Sequence, residues 1–457
     1  MSMRMHFGVV AAFLLLAGCA VPREHTKADI PLPAAWTLPG GSGSAIAVDS
    51  DWWQDFGDAE LSSLVRKARE GSFDLTQAVA RIRQAQALAR MAGASLLPQI
   101  DAQAGAVRQK AAESGEGHVY SAVIAATYEV DVWGGNAATR EAALAELAAS
   151  EYARDVVALT LEAGVASSYL QVAASRERAE LARLALAASE RILHLVESRV
   201  QAGAASTLES VQQRGLVAAQ RQALALRRQE ERDGSIALAL LLGSAPQSVD
   251  IERRDLAGLA APDVSAGVPS ELLPRRPDLA WAERRLAAAD ADVAAVRAAM
   301  LPRLALTLEA GGNVGRWRNL LDHPVYSLAA GLMAPLFHAG KLAAGRDLAL
   351  AERDELLAAY RAAIIDALGD VEAALNAIHG TDLQRQAQQE ELTQARLALR
   401  LAEARYRWGG ETLLAVLDAQ RTLYSAQDEA VLLKLAGLQA RISLFKALGG
   451  GWKLSRS

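Results

Sequence analysis

The sequence predicts a membrane protein of mixed α and β structure, made of two similar halves. Each half holds two transmembrane β-strands and a long α-helical hairpin. Three observations lead there: an internal duplication, two long stretches without proline, and four alternating segments of strand length.

The duplication is read from landmarks. Leu97-Pro98 recurs as Leu301-Pro302, 204 residues on, and Thr207-Leu208 recurs as Thr412-Leu413 at 205. Gly203 recurs as Gly409, and Leu242-Gly243 as Leu448-Gly449, both at 206. Four landmarks in the same order at nearly the same spacing describe a duplicated half, because a solenoid repeat is far shorter. The halves are expected over residues 51–260 and 261–457.

Proline placement locates the helices. No proline lies between Pro98 and Pro246, or after Pro335. An interior proline costs a helix about 3 kcal/mol, so these gaps can hold very long ones. Helices are expected over about 136–201, 207–243, 340–407 and 412–448. The first would reach about 100 Å at 1.5 Å per residue. Leu392, Ala395, Leu399, Ala402 and Tyr406 step by three and four, as do Val431, Leu435, Leu438, Ile442 and Phe445. Such seams mark helices packed side by side. Apolar residues make up 51% of the chain but aromatics only 5%, which favours closely packed alanine-rich helices over a bulky core.

Strands are expected over about 97–109, 118–130, 302–312 and 324–335. Ile100, Ala102, Ala104 and Ala106 alternate with polar or small residues, as do Tyr120 to Tyr128 and Leu304 to Ala310; Val325 to Pro335 is a mixed apolar run. A tilted strand of about ten residues crosses a bilayer. Tyr120 and Tyr128 bracket one strand as interfacial aromatics would. Four strands cannot close a membrane barrel, and an open edge in lipid leaves backbone groups unsatisfied. Copies must therefore join: two chains give eight strands with a filled interior, three give twelve and a lumen. Ordinary soluble hairpins remain the competing reading of the strands on periodicity alone.

The N-terminus reads as a secretory signal over 1–18, with Arg4, an apolar Phe7–Leu16 core and Leu16-Ala17-Gly18-Cys19. Cys19 is the only cysteine, so no internal disulfide exists. The Leu-Ala-Gly-Cys order resembles a bacterial lipobox, which makes Cys19 the lipidation residue, and Ala20 after it implies the outer membrane. Residues 19–50, with Pro22, Pro31, Pro33 and Pro39, read as an extended tether. Loss of the signal leaves 47 basic and 53 acidic residues, a mild balance with no nucleic-acid footprint. No later segment has eighteen uncharged apolar residues in a row.

Enzyme chemistry is disfavoured. Gly340-Lys341 is followed by Leu342, not the Ser or Thr of a phosphate loop. The seven histidines show no metal-ligand spacing, and Arg275-Arg276 reads as a solvated turn between prolines. No catalytic residue, metal or cofactor is expected. Met91, Met300 and Met333 are too sparse for a copper relay.

Five further pieces complete the pattern. They are Asp51-Trp52-Trp53-Gln54-Asp55-Phe56, Leu273-Pro274-Arg275-Arg276-Pro277-Asp278-Leu279, Arg405-Tyr406-Arg407-Trp408-Gly409, Leu417-Asp418-Ala419-Gln420-Arg421 and Ala447-Leu448-Gly449-Gly450-Gly451-Trp452. With the two Leu-Pro strand starts, the chain resembles the TolC-type outer membrane efflux channels, in the lipoprotein branch of OprM- and NodT-like factors. The resemblance covers essentially the whole mature sequence. It departs at Asp131-Val132-Trp133-Gly134-Gly135-Asn136, where relatives often carry Arg after Phe-Gly, and at Gly71, where they often carry Asn.

The resemblance implies a homotrimer with a twelve-stranded β-barrel continued by a periplasmic α-barrel. It implies a passive exit duct for drugs or other small toxic compounds. These would be delivered by an inner-membrane pump of the RND type through a periplasmic adaptor. It places adaptor docking at the hairpin tips, here Arg199, Gly203, Thr207, Arg405, Gly409 and Thr412. It places the periplasmic gate at Leu414, Asp418 and Arg421, which share one helix face at spacings of four and three. A routine exposed ion pair is the plain alternative for Asp418 and Arg421. A type I protein-secretion channel, or a lipid-anchored coiled-coil scaffold, are the alternatives for the whole chain.

Overall fold

The computed structural model describes residues 29–38, 48–111, 115–314, 316–317 and 324–453. The expected signal and Cys19 lie outside the described residues. The chain divides into two compact units, and each takes residues from both sequence halves.

One unit contains Ala78–Ala153 and Asp278–Ala363. Its core feature is a single antiparallel sheet of order β1-β2-β3-β4, with β1 Gln99–Ala111, β2 Gly115–Val130, β3 Arg303–Val314 and β4 Val325–Met333. Sequence alternation becomes facial segregation through the register. Ile100, Ala126, Leu308 and Leu328 form one row, and Ala102, Ile124, Ala310 and Tyr326 the next. The opposite face carries Gln99, Thr127 and Thr307 in one row, and Asp101, Glu309 and Ser327 in another. Tyr120, Tyr128 and Tyr326 all sit on the apolar face. Strands β1 and β4 each pair on one side only, so both outer edges are open in the single chain.

Helices flank the sheet in sequence: α1 Ala59–Gly71, α2 Phe73–Ala94, α3 Gly135–Gln201, α4 Thr207–Leu241, α5 Pro277–Ala298, α6 Lys341–Arg407 and α7 Leu413–Ala447. The turn from β2 into α3 is fixed locally. Asp131 accepts the Asn136 and Ala137 backbone N–H groups at 3.0 and 2.8 Å, satisfying two orphan donors of the helix start. Trp133 Nε1 donates to Pro302 O at 2.6 Å, tying this turn to the residue before β3.

The other unit contains Pro31–Gln77, Arg154–Pro277 and the chain from Ile364 onward. Trp52, Trp53 and Phe56 lie on one turn of 3-10 helix and are buried; Trp52 stacks on Phe445 with centroids 5.0 Å apart. Asp58 caps α1 by accepting Glu60 and Leu61 N–H, and its other oxygen takes Arg253 Nε at 2.6 Å. The Tyr169 hydroxyl lies 2.9 Å from both Asp58 and Glu60. Burial opposes ionisation of Asp58, but hydrogen bonds from Leu61, Tyr169 and Arg253 outweigh it and hold the carboxyl below its ordinary range. The seams expected from spacing are buried: Leu392, Ala395, Leu399 and Tyr406 on α6, and Val431, Leu435, Leu438, Ile442 and Phe445 on α7.

One reading is corrected here and another is extended. Arg276 is not solvated. It is 9% exposed, holds Asp370 with two nitrogens at 3.0 Å, and donates to Ala447 O in the last turn of α7 at 3.2 Å. A guanidinium there satisfies a carbonyl that a helix end would otherwise leave open. The tether, although not helical, is pinned: Trp36 Nε1 donates to Gly267 O at 3.0 Å, and Thr37 N–H and Oγ1 both donate to Glu372. One eighteen-residue window of α3 reaches membrane-like hydropathy, and half of that window is buried in the structure. Helix packing accounts for its apolarity.

Candidate functional site

The two hairpin tips lie in the second unit and are built by the same local chemistry. Helix α3 ends with Gly203 at φ 73° and α6 with Gly409 at φ 76°. Gly203 N–H bonds to Val200 O and Ala204 N–H to Arg199 O; Gly409 N–H bonds to Tyr406 O and Gly410 N–H to Arg405 O. This is the Schellman arrangement, which needs a left-handed residue that glycine alone adopts without cost. The motif recurs at the far ends of the hairpins, at Gly243 and Gly449. There a Cβ would also strike Gly71 O at 2.2 Å and Arg275 O at 1.9 Å, so both glycines allow a backbone to pass close by. The departure at Gly71 therefore lies at a tight packing point beside the end of α4.

The helix starts correct the register of the duplication. Ser206 stands at the N-cap position of α4 and Thr412 at that of α7, so the equivalent residues differ by 206, as at the glycines. The two Thr-Leu pairs are one residue out of step: Thr207 is the first residue of α4, whereas Thr412 precedes α7.

Between the tips sits a contact that spacing did not disclose. The Arg199 guanidinium lies over the Tyr406 ring, 4.5 Å from its centroid, and Nη1 donates to Tyr406 O at 2.6 Å. The Tyr406 hydroxyl donates to Glu209 Oε2 at 2.8 Å, and Tyr406 is only 2% exposed. Burial, then the Glu209 carboxylate, push the Tyr406 phenol up to about 12. Glu209 also closes a capping box with Ser206. The Ser-x-x-Glu spacing was a visible signal for this cap, but nothing local announces its partner 197 residues away.

The expected docking residues thus divide. Thr207, Arg405 and Thr412 are exposed, Gly203 and Gly409 shape the turns, and Arg199 is engaged with Tyr406. Trp408, next to them, is 91% exposed. The expected gate residues lie together on one outward face of α7: Leu414, Asp418 and Arg421 are all exposed, with Leu414 at 65%. Leu413, Val416, Leu417, Gln420 and Leu423 occupy the opposite, buried face. Among the described residues no ion pair joins Asp418 to Arg421 within the single chain.

Farther from the tips, Arg178 grips both oxygens of Asp428 at 2.7 and 2.9 Å and reaches Glu230 at 3.1 Å. Arg227 bonds to the same Glu230 and Asp428, so four charges tie α3, α4 and α7. Among the described residues no group of three or more His, Cys, Asp or Glu stands in metal-binding geometry.

A sheet with one apolar and one polar face, open at both edges, on a chain with two long helical hairpins defines an outer membrane channel subunit of the barrel-and-helix type. The chain belongs to the outer membrane efflux protein family, which it matches over residues 64–244 and 268–450. It is 46% identical to the pyoverdine export outer membrane protein OpmQ of Pseudomonas aeruginosa, over 100% of this chain and 98% of that one. It is 31% identical to the toluene efflux pump outer membrane protein TtgF of Pseudomonas putida, over 98% of each. Its fold is similar to the solved outer-membrane channel OprN, with a TM-score of 0.88, 26% identity and coverage of 94% and 100%. The protein is an outer membrane efflux channel with a large periplasmic part.

Proposed function

We propose that three copies assemble into a twelve-stranded barrel and act as the passive exit duct of a tripartite pump. The observation that carries this is the amphipathic sheet with two unpaired edges. Its apolar face suits lipid and its polar face a watery lumen, and only further copies can satisfy edges β1 and β4. Cargo arrives from an inner-membrane transporter through a periplasmic adaptor. The 46% identity to a protein named for pyoverdine export favours a small secreted metabolite or toxic compound over a protein as cargo.

The finer parts belong to the same proposal. Residues 51–260 and 261–457 are the two duplicated halves, and Cys19 carries the acyl anchor beside the barrel. The tips around Arg199, Gly203, Thr207, Arg405, Gly409 and Thr412 receive the adaptor. Leu414, Asp418 and Arg421 form the gate: repeated around a threefold axis, Leu414 makes an apolar constriction and Asp418 with Arg421 holds the helix ends inward. Purified protein in planar bilayers is expected to give discrete single-channel conductance, with native mass spectrometry returning a trimer. A trimer without conductance would support a lipid-anchored scaffold instead.

A further inference from the structure

The sheet is asymmetric along its strands as well as across its faces. On the apolar face, the registered rows carry no ion from Ala106–Tyr120–Val314 inward to Val130–Leu304–Leu332. The next row beyond Tyr120 is Arg108 opposite His118, and both are exposed. Farther out, Lys110 stands opposite Glu116 in the register. The His118 and Tyr120 rings stack with centroids 6.3 Å apart. Arg316 and Trp317, exposed just beyond β3, bring another cation and another ring to the same end. At the opposite end, the last rows of this face are Tyr128–Leu306–Ala330 and Val130–Leu304–Leu332, without a cation.

The chain gives the direction. Helices α3 and α6 leave the sheet from the end where β2 and β4 finish, and the large periplasmic part is the helical one. The end with Arg108 and His118 therefore faces the cell exterior. Its height follows from the strand. From His118 to Val130 on β2 is about 40 Å along the strand at 3.3 Å per residue, or about 30 Å when the strand tilts by about 40°. A bilayer's hydrocarbon layer has that thickness, about 30 Å. With Val130 and Leu332 at its inner boundary, Arg108 and His118 stand at headgroup level on the outer side. Tyr120 lies just beneath them, at the depth interfacial aromatics take.

We infer that Arg108 and His118 form a site for a phosphate of the outer leaflet's glycolipid, the lipid A of lipopolysaccharide. The Arg108 guanidinium offers paired N–H donors in the fork that phosphate oxygens accept, and the His118 imidazole adds a donor from the neighbouring strand. An acyl chain of the same lipid lies along the apolar rows below, so headgroup and tail each meet a matching surface. The occupant is a lipid because the site continues the apolar side of the sheet without a break. It is the outer-leaflet glycolipid because, among the described residues, this face carries its cations at the outward rim alone. A phospholipid common to both leaflets would call for them at both rims. The inference rests on the barrel reading, in which this face meets lipid, and adds which lipid group it holds and where.

Native mass spectrometry of the full chain in an uncharged detergent tests it. The probes are lipid A with both phosphates, lipid A with its phosphates removed, and phosphatidylglycerol. The phosphorylated lipid A is expected to be retained about tenfold more strongly than the other two, as one or two charge contacts at a bilayer surface give. Arg108→Gln with His118→Gln should lower its retention to the level of the dephosphorylated lipid, with oligomer mass and single-channel conductance unchanged. Arg303→Gln, at the inward end and on the polar face, should keep the native retention. Equal retention of the dephosphorylated lipid A, or undiminished retention by the double variant, overturns the site and leaves the barrel standing. Phosphatidylglycerol held as well as lipid A overturns the choice of glycolipid. A native chain that runs as a monomer overturns the barrel reading and this inference with it.

Discussion

The two hairpin tips turn in the same way and differ in how their second helices are capped. Both end their first helix in a Schellman turn at glycine. The first tip is locked at its second helix too: Ser206 and Glu209 cap α4 reciprocally, and Glu209 takes the Tyr406 hydroxyl. The second tip has no equivalent lock. Thr412 makes no side-chain cap bond, and α7 turns Leu414, Asp418 and Arg421 outward without an ion pair in the single chain. One tip is capped by its own side chains, and the other leaves Leu414, Asp418 and Arg421 exposed. The proposed gate calls for that asymmetry, because a helix end held by its own caps cannot move without breaking them.

The comparison can be broken most forcibly at Tyr406, which contacts both Arg199 and Glu209 of the first tip. Tyr406→Ala removes a buried ring and strands Glu209, which is expected to cost about 3–5 kcal/mol of local stability. Hydrogen exchange should then rise on both sides, across 199–211 and 403–416. Exchange that rises only near 406 would mean the tips are held independently.

Alanine at Gly203 or at Gly409 forces a left-handed residue and is expected to cost about 1–2 kcal/mol each. Thermal unfolding in detergent should show comparable losses, since the two turns have the same geometry. A clear excess at Gly203 would show that the locked tip also relies more on its turn.

The caps sharpen the contrast. Ser206→Ala is expected to cost about 1 kcal/mol, whereas Thr412→Ala should leave the melting temperature essentially unchanged. Equal losses would refute the difference in capping.

Replacing Asp418 and Arg421 together by Ala is expected to change stability by less than about 0.5 kcal/mol, the range of exposed pairs. Resting conductance and antibiotic leakage should rise in the assembled channel. Unchanged conductance in a correctly assembled variant would reduce the pair to a solvated face.

The smallest effect is a pH response. Because the Tyr406 phenol is raised in the folded state, its contribution is complete below about pH 10, the unfolded value. It is lost as pH climbs toward about 12. Tyrosinate absorbance, differenced against Tyr406→Phe, should show one phenol titrating late.

Much of this molecule was legible along the chain. The helix limits, the glycine turns and the strand alternation are local, since caps act within a turn and a strand shows its faces at every second residue. Duplication made each signal readable twice, although matching by identity set the Thr-Leu pairs one residue out of step. That Leu414, Asp418 and Arg421 share one exposed face was equally local, because spacings of four and three place them together on any helix.

What only the tertiary structure decided are the contacts between parts remote in sequence. Arg276 reads as solvated beside two prolines until α6 and α7 close over it and supply Asp370 and Ala447 O. Arg199 reads only as a docking residue of its tip until Tyr406 comes under it. Trp36 and Thr37 read only as part of an extended tether until Gly267 and Glu372 receive them. A side chain's charge and period are written beside it, but its burial depends on what the fold brings from hundreds of residues away.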